Sequence, residues 1–228
     1  VVENEDIIDN ITLVSKDLVV ESLNDTQTES GSYTYKNAIL TQCEIDGNKQ
    51  LVYVSPREIQ NFGISYNNKT YEYTHGIGRI VTSATQVTED GNVKYLKKDI
   101  TGEDDIYKIT EPRIYYGLET NSTAVTNPKN KIEYVYTDEK GIEHIYNYNG
   151  KSGIQVGWLD RLILAIRNSD FKLAMSSSVL SESKILTNRN IIERAKTVLP
   201  SLLYDENPYT IISDGQIYWV LDGYTVSD

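Results

Sequence analysis

Basic residues are scarce in this 228-residue chain: 22 lysines and arginines stand against 33 aspartates and glutamates, a formal net charge of -11. That balance offers little counterion-releasing surface to a nucleic acid and repels anionic lipid headgroups, so DNA, RNA and direct adsorption to a membrane drop out as leading functions. Cysteine is nearly absent. Cys43 alone cannot form an intrachain disulfide, and its place in an apparent strand makes it a small core hydrophobe. No apolar run reaches the ~18 residues needed to span a bilayer; the best, LILAI at 162–166, is bracketed by Arg161 and Arg167. Neither a methionine nor a signal peptide opens the chain at Val1, and Asp228 closely follows an apparent strand, so the expectation is a piece of something longer. Internal repeats and low-complexity tracts are missing too.

What is present is an ordinary globular composition, 39% hydrophobic and 24% charged, in a chain long enough to bury roughly 70% of its unfolded surface. One domain over 1–228 is expected, with a division into a β-rich 1–150 and a helical 151–228 as the alternative. Ser15 precedes KDLVVESLN, where Leu18, Val19 and Leu23 share a helical face. Strand-like residues then flank Asp46-Gly47-Asn48, Glu89-Asp90-Gly91 and Asp138-Glu139-Lys140-Gly141, three hairpin signals. Between the first two, Ser55-Pro56-Arg57-Glu58 has the form of a capping box and predicts a short helix through Phe62.

The stretch 158–228 has the longest helical periodicity. Trp158, Leu159, Leu162, Ile163 and Ile166 mark one helix, Ser169 or Asp170 caps a second through Met175, and a third runs from about Asn188 to Pro200 with Ile191, Ile192, Ala195 and Val198 on its buried face. YTIIS, Asp214-Gly215 and QIYWVLD form the clearest hairpin. The expected fold is α+β: antiparallel hairpins packed against the C-terminal helical block, closed by that last hairpin.

Complete catalytic signatures are missing. Ser181-Glu182-Ser183-Lys184 fits S-x-x-K, in which a helical turn sets an amine beside a serine hydroxyl, yet no K-T-G or S-D-N accompanies it. His75-Gly76-Ile77-Gly78 lacks the rest of a phosphate loop, and its glycines suit a bulge or tight bend. With His75 and His144 the only histidines and Cys43 isolated, a zinc site lacks ligands, although His75 has the chemistry of a general base. Glu89-Asp90, Glu103-Asp104-Asp105 and Asp138-Glu139 offer oxygen ligands for weak calcium binding, without the spacing of a calcium loop. No other cofactor is indicated. N-x-[ST] triplets start at Asn10, Asn24, Asn68 and Asn121 and carry meaning only in a eukaryotic secreted protein. The charges set in apolar surroundings are the more informative: Arg161, Arg167, Arg189 and Arg194, with Asp205 and Asp222, form arginine–carboxylate clasps between helix and hairpin or, together with His75 and Glu119, line a ligand cleft.

Five segments, YTHGIGRI (73–80), EPRIYYG (111–117), YNGKSGI (148–154), LILAIRNSD (162–170) and SKILTNRNIIERAKTVLP (183–200), occur in the order seen in an uncharacterised family of large bacterial membrane proteins. NPYTIISDGQIYWVLDGYTVSD resembles that family's D-P-Y-x-V-x-x-x-G-x-L-x-W-I-x-D-A-Y-T-T-S signature. The resemblance runs from about Ser55 to the end. Departures are Tyr116-Gly117-Leu118-Glu119 for Y-F-G-E, Lys131-Ile132-Glu133-Tyr134-Val135 for E-F-D-Y-P, and Gly223 for an alanine. The resemblance implies several N-terminal transmembrane helices elsewhere in a parent protein and a large extracytoplasmic region to which this chain belongs. It implies no reaction or cofactor. The expected function is therefore a binding module outside the membrane, attached through the parent's other segments and facing an envelope component or protein partner; the alternative is an envelope enzyme acting on carbohydrate or peptide.

Overall fold

A computed structural model describes residues 11–27, 33–45, 47–60, 63–98, 109–133, 135–137, 142–145, 147–155 and 157–225. In chain order the elements are α1 (Lys16–Thr26), β1 (Tyr33–Thr34), β2 (Ile39–Ile45), β3 (Asn48–Pro56), β4 (Glu58–Ile59), a π-helical turn (Asn68–Glu72), β5 (Gly76–Ile77), β6 (Arg79–Val87), β7 (Val93–Lys97), β8 (Arg113–Ile114), β9 (Ala124–Val125), β10 (Val135–Thr137), β11 (Glu143–Ile145) and β12 (Ile154–Gln155). The C-terminal part holds α2 (Trp158–Arg167), α3 (Phe171–Met175), β13 (Lys184–Leu186), α4 (Ile191–Val198), β14 (Leu203–Tyr204), β15 (Tyr209–Ser213), β16 (Gln216–Val220) and β17 (Gly223–Tyr224). This is an α+β fold in which the strand pairs among the described residues are antiparallel.

The largest sheet has the order β2-β3-β6-β7 and grows from two of the expected hairpins. Alternation sorts its side chains: Tyr53, Ile80 and Val93 face one way, Val52, Val54 and Val81 the other. The first face is covered by α1, whose Val19 and Leu23 are fully buried there while Leu18 is exposed. Ser15 caps this helix, accepting from the Leu18 amide at 3.3 Å. Cys43 is buried on the second face, a core hydrophobe as expected.

The predicted helix at 55–62 does not form over the described residues. Chain 48–56 continues as β3, held between β2 and β6, and Pro56 sits at the strand's end opposite Arg79, where the missing N–H costs least. Glu58 then extends in β4 against Thr34. A central strand satisfies a backbone group at nearly every residue on both sides, which outweighs a local cap. The hairpin tips at Asp46 and 138–141, the 103–105 loop, Phe62 and Asn10 lie outside the described residues.

The C-terminal elements form as read: Asp170 caps α3 at the Leu173 amide, Asn190 caps α4, and Asp214 (φ 51°) with Gly215 (φ 74°) makes the two-residue turn between β15 and β16. Their burial differs from expectation. In α2 only Leu164 and Ala165 are buried, and in α4 no residue is, so the positions Ile191, Ile192, Ala195 and Val198 are not a buried face. Leu164 and Leu173 instead pack with Tyr71, Val125 and Ile185 around the small β12-β13-β9 sheet.

Candidate functional site

The eight charged residues singled out above do not converge. His75 is fully buried, its ring lies 4.7 Å from that of Tyr115, and its Nδ1–H donates to the Gly76 carbonyl at 2.8 Å. Burial lowers its pKa to about 4, so the ring is neutral at physiological pH. Arg189 is buried beside it, donating through Nε to the Tyr115 carbonyl (2.8 Å) and through its terminal nitrogens to the carbonyls of Ser122 (3.2 Å) and Thr74. These two are the pair the fold brings together. Arg161 donates to the Ser176 carbonyl at 3.0 Å, Arg194 lies over the Tyr116 ring at 4.8 Å, and Arg167 is exposed. Asp205 joins Asp222 through the backbone, amide to carbonyl, at 3.0 Å. Glu119 pairs with Lys36 at 2.5 Å.

The expected arginine–carboxylate clasps are therefore replaced by arginine–carbonyl ones. Short strands and loops leave carbonyls that no ladder satisfies, and a guanidinium fork reaches several at once. Arg57 repeats the device, bonding the Tyr35 hydroxyl and the carbonyls of Ile77 and Lys98, each at 3.0 Å.

Two features were not foreseen. Glu133 is fully buried, its carboxylate accepting from the Tyr115 hydroxyl (2.6 Å) and the amides of Asn127 (2.5 Å) and Tyr148 (3.3 Å). Burial, with the Glu133 charge added, pushes the Tyr115 phenol well above its ordinary range. This satisfied knot ties three loops together; the sequence signal was an acid set between Ile132 and Tyr134. The Ser181–Lys184 pattern, by contrast, makes no dyad: Ser181 bonds the Glu182 carboxylate at 3.0 Å, and Lys184 bonds the Gly150 carbonyl at 3.0 Å.

The second feature is a cavity of about 470 Å³ where α1, the β1–β2 loop, the 117–119 loop and the start of α4 meet. Its geometry is set by Gly117 and Asn190. The Gly117 amide donates to the Arg189 carbonyl (3.1 Å), and its carbonyl accepts from Ile191 (3.0 Å). Asn190 caps α4 at the Ile192 and Glu193 amides and donates to the Leu118 carbonyl at 2.7 Å. A Cβ at 117 would overlap Glu58 Oε2, so any larger residue there would have to displace the Glu58 carboxylate. Glu58, itself buried behind this loop, accepts from the Glu119 amide at 2.9 Å. Burial raises its pKa to about 7, the amide bonds acting in the opposite direction and the Glu119 charge adding to the rise.

Lys16, Lys36 and Lys196 all line this cavity, beside Glu193, Glu206 and Asn37. Among the described residues Lys16, Lys196, Glu193 and Glu206 form no ion pair. Asn37 is 8% exposed and its Oδ1 has no hydrogen-bond partner there. Three lysines, of which Lys36 is paired with Glu119, thus line one concavity of an acidic chain together with two glutamates. No group of three or more His, Cys, Asp or Glu side chains able to hold a metal is found among the described residues.

Comparison with known proteins agrees with the resemblance on family and adds no activity. The family model for the uncharacterised protein family UPF0182 matches residues 1–228. A UPF0182 protein of Clostridium novyi (strain NT) is 36% identical over 232 residues, covering 99% of this chain and 25% of its own length. One from Caldicellulosiruptor saccharolyticus is 39% identical over 230 residues, 98% of this chain and 25% of its own. One from Clostridium botulinum (strain Okra) is 34% identical over 233 residues, 100% and 26%. The chain thus spans about a quarter of the length of these curated relatives. No solved structure matches it. On the full-length family match and these identities, the chain belongs to the uncharacterised bacterial protein family UPF0182.

Proposed function

We propose that this chain is a non-catalytic binding module on the extracytoplasmic side of a bacterial membrane protein, and that the cavity at the start of α4 takes an envelope ligand bearing a carboxylate or phosphate group. The observation that carries the reading is the gathering of Lys16, Lys36 and Lys196 around one concavity of a chain with net charge -11. Ammonium groups attract an anionic oxygen, while Glu193 and Glu206 offer acceptors to the hydroxyl or amine groups beside it. Attachment to the membrane falls to other segments of the parent; among the described residues no helix is long and apolar enough to cross a bilayer.

The catalytic alternative has less support. It calls for His75 and carboxylates within reach of one another in an open pocket, whereas His75 is sealed in the core and Glu119 is paired with Lys36. Isothermal titration with glycerol phosphate and with N-acetylmuramic acid tests the binding reading. Saturable binding of either, weakened at least ~10-fold by Lys16→Ala combined with Lys196→Ala, supports it; absence of binding, or binding indifferent to both lysines, refutes it. Protease added to intact cells tests the location, and a chain that resists it until the membrane is breached refutes that part.

A further inference from the structure

The helix with the strongest apolar stripe turns that stripe outward. Along α2, Trp158, Leu159, Leu162, Ile163 and Ile166 fall on one contiguous arc, and all are exposed, Trp158 at 71% and Ile163 at 62%. The opposite side, Leu164 with Ala165, is what packs on the rest of the chain. Next to it α3 repeats the arrangement: Leu173 points in, while Phe171 (65%) and Met175 (88%) point out. A helix stabilised only by this chain would bury the wide face and expose the narrow one; here the wide face is unclaimed.

We infer that this face docks against further polypeptide of the longer family protein, as an intramolecular interface between this segment and another. Two observations select that occupant. The curated relatives are about four times as long as the segment they share with this chain, so most of their polypeptide lies outside it. The apolar stripe is also flanked by exposed Arg167 and Lys172, which suits a protein surface with carboxylates around an apolar centre. Exposed Trp, Met and Ile with Arg beside them is the composition of an interface, and the helix phase presents it without any change in this fold. The inference is independent of the cavity.

Thiol accessibility tests it. Ile163→Cys and Met175→Cys are introduced into this chain and into the longer polypeptide, with Glu89→Cys, in an exposed turn, as the control. Cys43 is buried and serves as the background. The expected result is that a water-soluble maleimide labels positions 163 and 175 at least ~10-fold more slowly in the longer polypeptide, at a rate independent of concentration, with position 89 equal in both. A benzophenone carried on the thiol that Ile163→Cys introduces then cross-links within the same chain to a segment outside 1–228. Equal labelling in the two proteins overturns the inference. So does protection that disappears on dilution, which assigns the face to a second copy, or protection that requires added phospholipid vesicles, which assigns it to the bilayer.

Discussion

Two buried groups in this chain carry opposite pH dependences. Glu58 goes from an ordinary 4.5 to about 7, so the folded state holds a proton the unfolded state has lost, and stability falls as pH rises between those values. His75 goes from 6.5 to about 4, so the unfolded state takes up a proton the folded state refuses, and stability falls as pH drops through that window. Each is worth on the order of 3 kcal/mol, and over roughly pH 4.5–6.5 they oppose each other. Urea unfolding across pH 4–8 is expected to show Glu58→Gln becoming acid-labile below 6.5 and His75→Asn losing stability from 4.5 up to 7; identical profiles in wild type and both variants count against these assignments. Arg189 is the other residue on which the interior depends. Arg189→Met strands two buried carbonyls and a partly buried one, and a loss of about 3 kcal/mol is expected, only partly recovered by Arg189→Lys because one ammonium cannot reproduce the fork. A loss below about 1 kcal/mol would mean the carbonyls find other donors.

At the scale of the element, α4 shows how a cap serves a site. Asn190 holds two helix amides with its oxygen and the Leu118 carbonyl with its nitrogen, so it fixes both the helix start and the loop that walls the cavity. Asn190→Ala is expected to cost about 1–2 kcal/mol and to weaken the proposed anion binding at the lysines it does not touch; unchanged binding by titration would separate cap from site. Along α2 the contrast lies between neighbours in sequence. Ile163→Glu, on the outward face, is expected to leave the stability of this chain within about 0.5 kcal/mol, while Leu164→Ala costs about 2–5 kcal/mol. Equal costs by denaturant titration would place Ile163 inside. The turn between β15 and β16 adds a third case: Gly215 has φ 74°, and a Cβ there would overlap Thr110 Oγ1, so only glycine meets both conditions.

For the molecule as a whole, the four-stranded sheet with α1 and the smaller C-terminal sheets form separate apolar clusters, joined by polar seams in which buried arginines bond carbonyls. Such an arrangement leaves concavities at the seams and an apolar face on α2 and α3, the two features on which the proposed binding and docking roles rest. Much of the local structure was legible in advance. The Ser15 and Asp170 starts, the turns at Gly91 and Asp214-Gly215, and the phase of α2 are set by residues within a few positions of one another, whose φ preferences and hydrogen bonds act before the chain is packed. Other outcomes belonged to residues distant in sequence. Ser55-Pro56-Arg57-Glu58 left the helical path because β6 offered Pro56 and its neighbours a partner, and Arg161, on α2, and Arg189, just before the cap of α4, met carbonyls because they face loops rather than acidic strands. The lysine cavity was hidden because Lys16, Lys36 and Lys196 lie on three separate segments. The amino-acid pattern by itself determined that α2 has a face to be covered; only the tertiary structure decided that this chain leaves it open, since periodicity records the width of an apolar stripe and packing alone records which surface meets it.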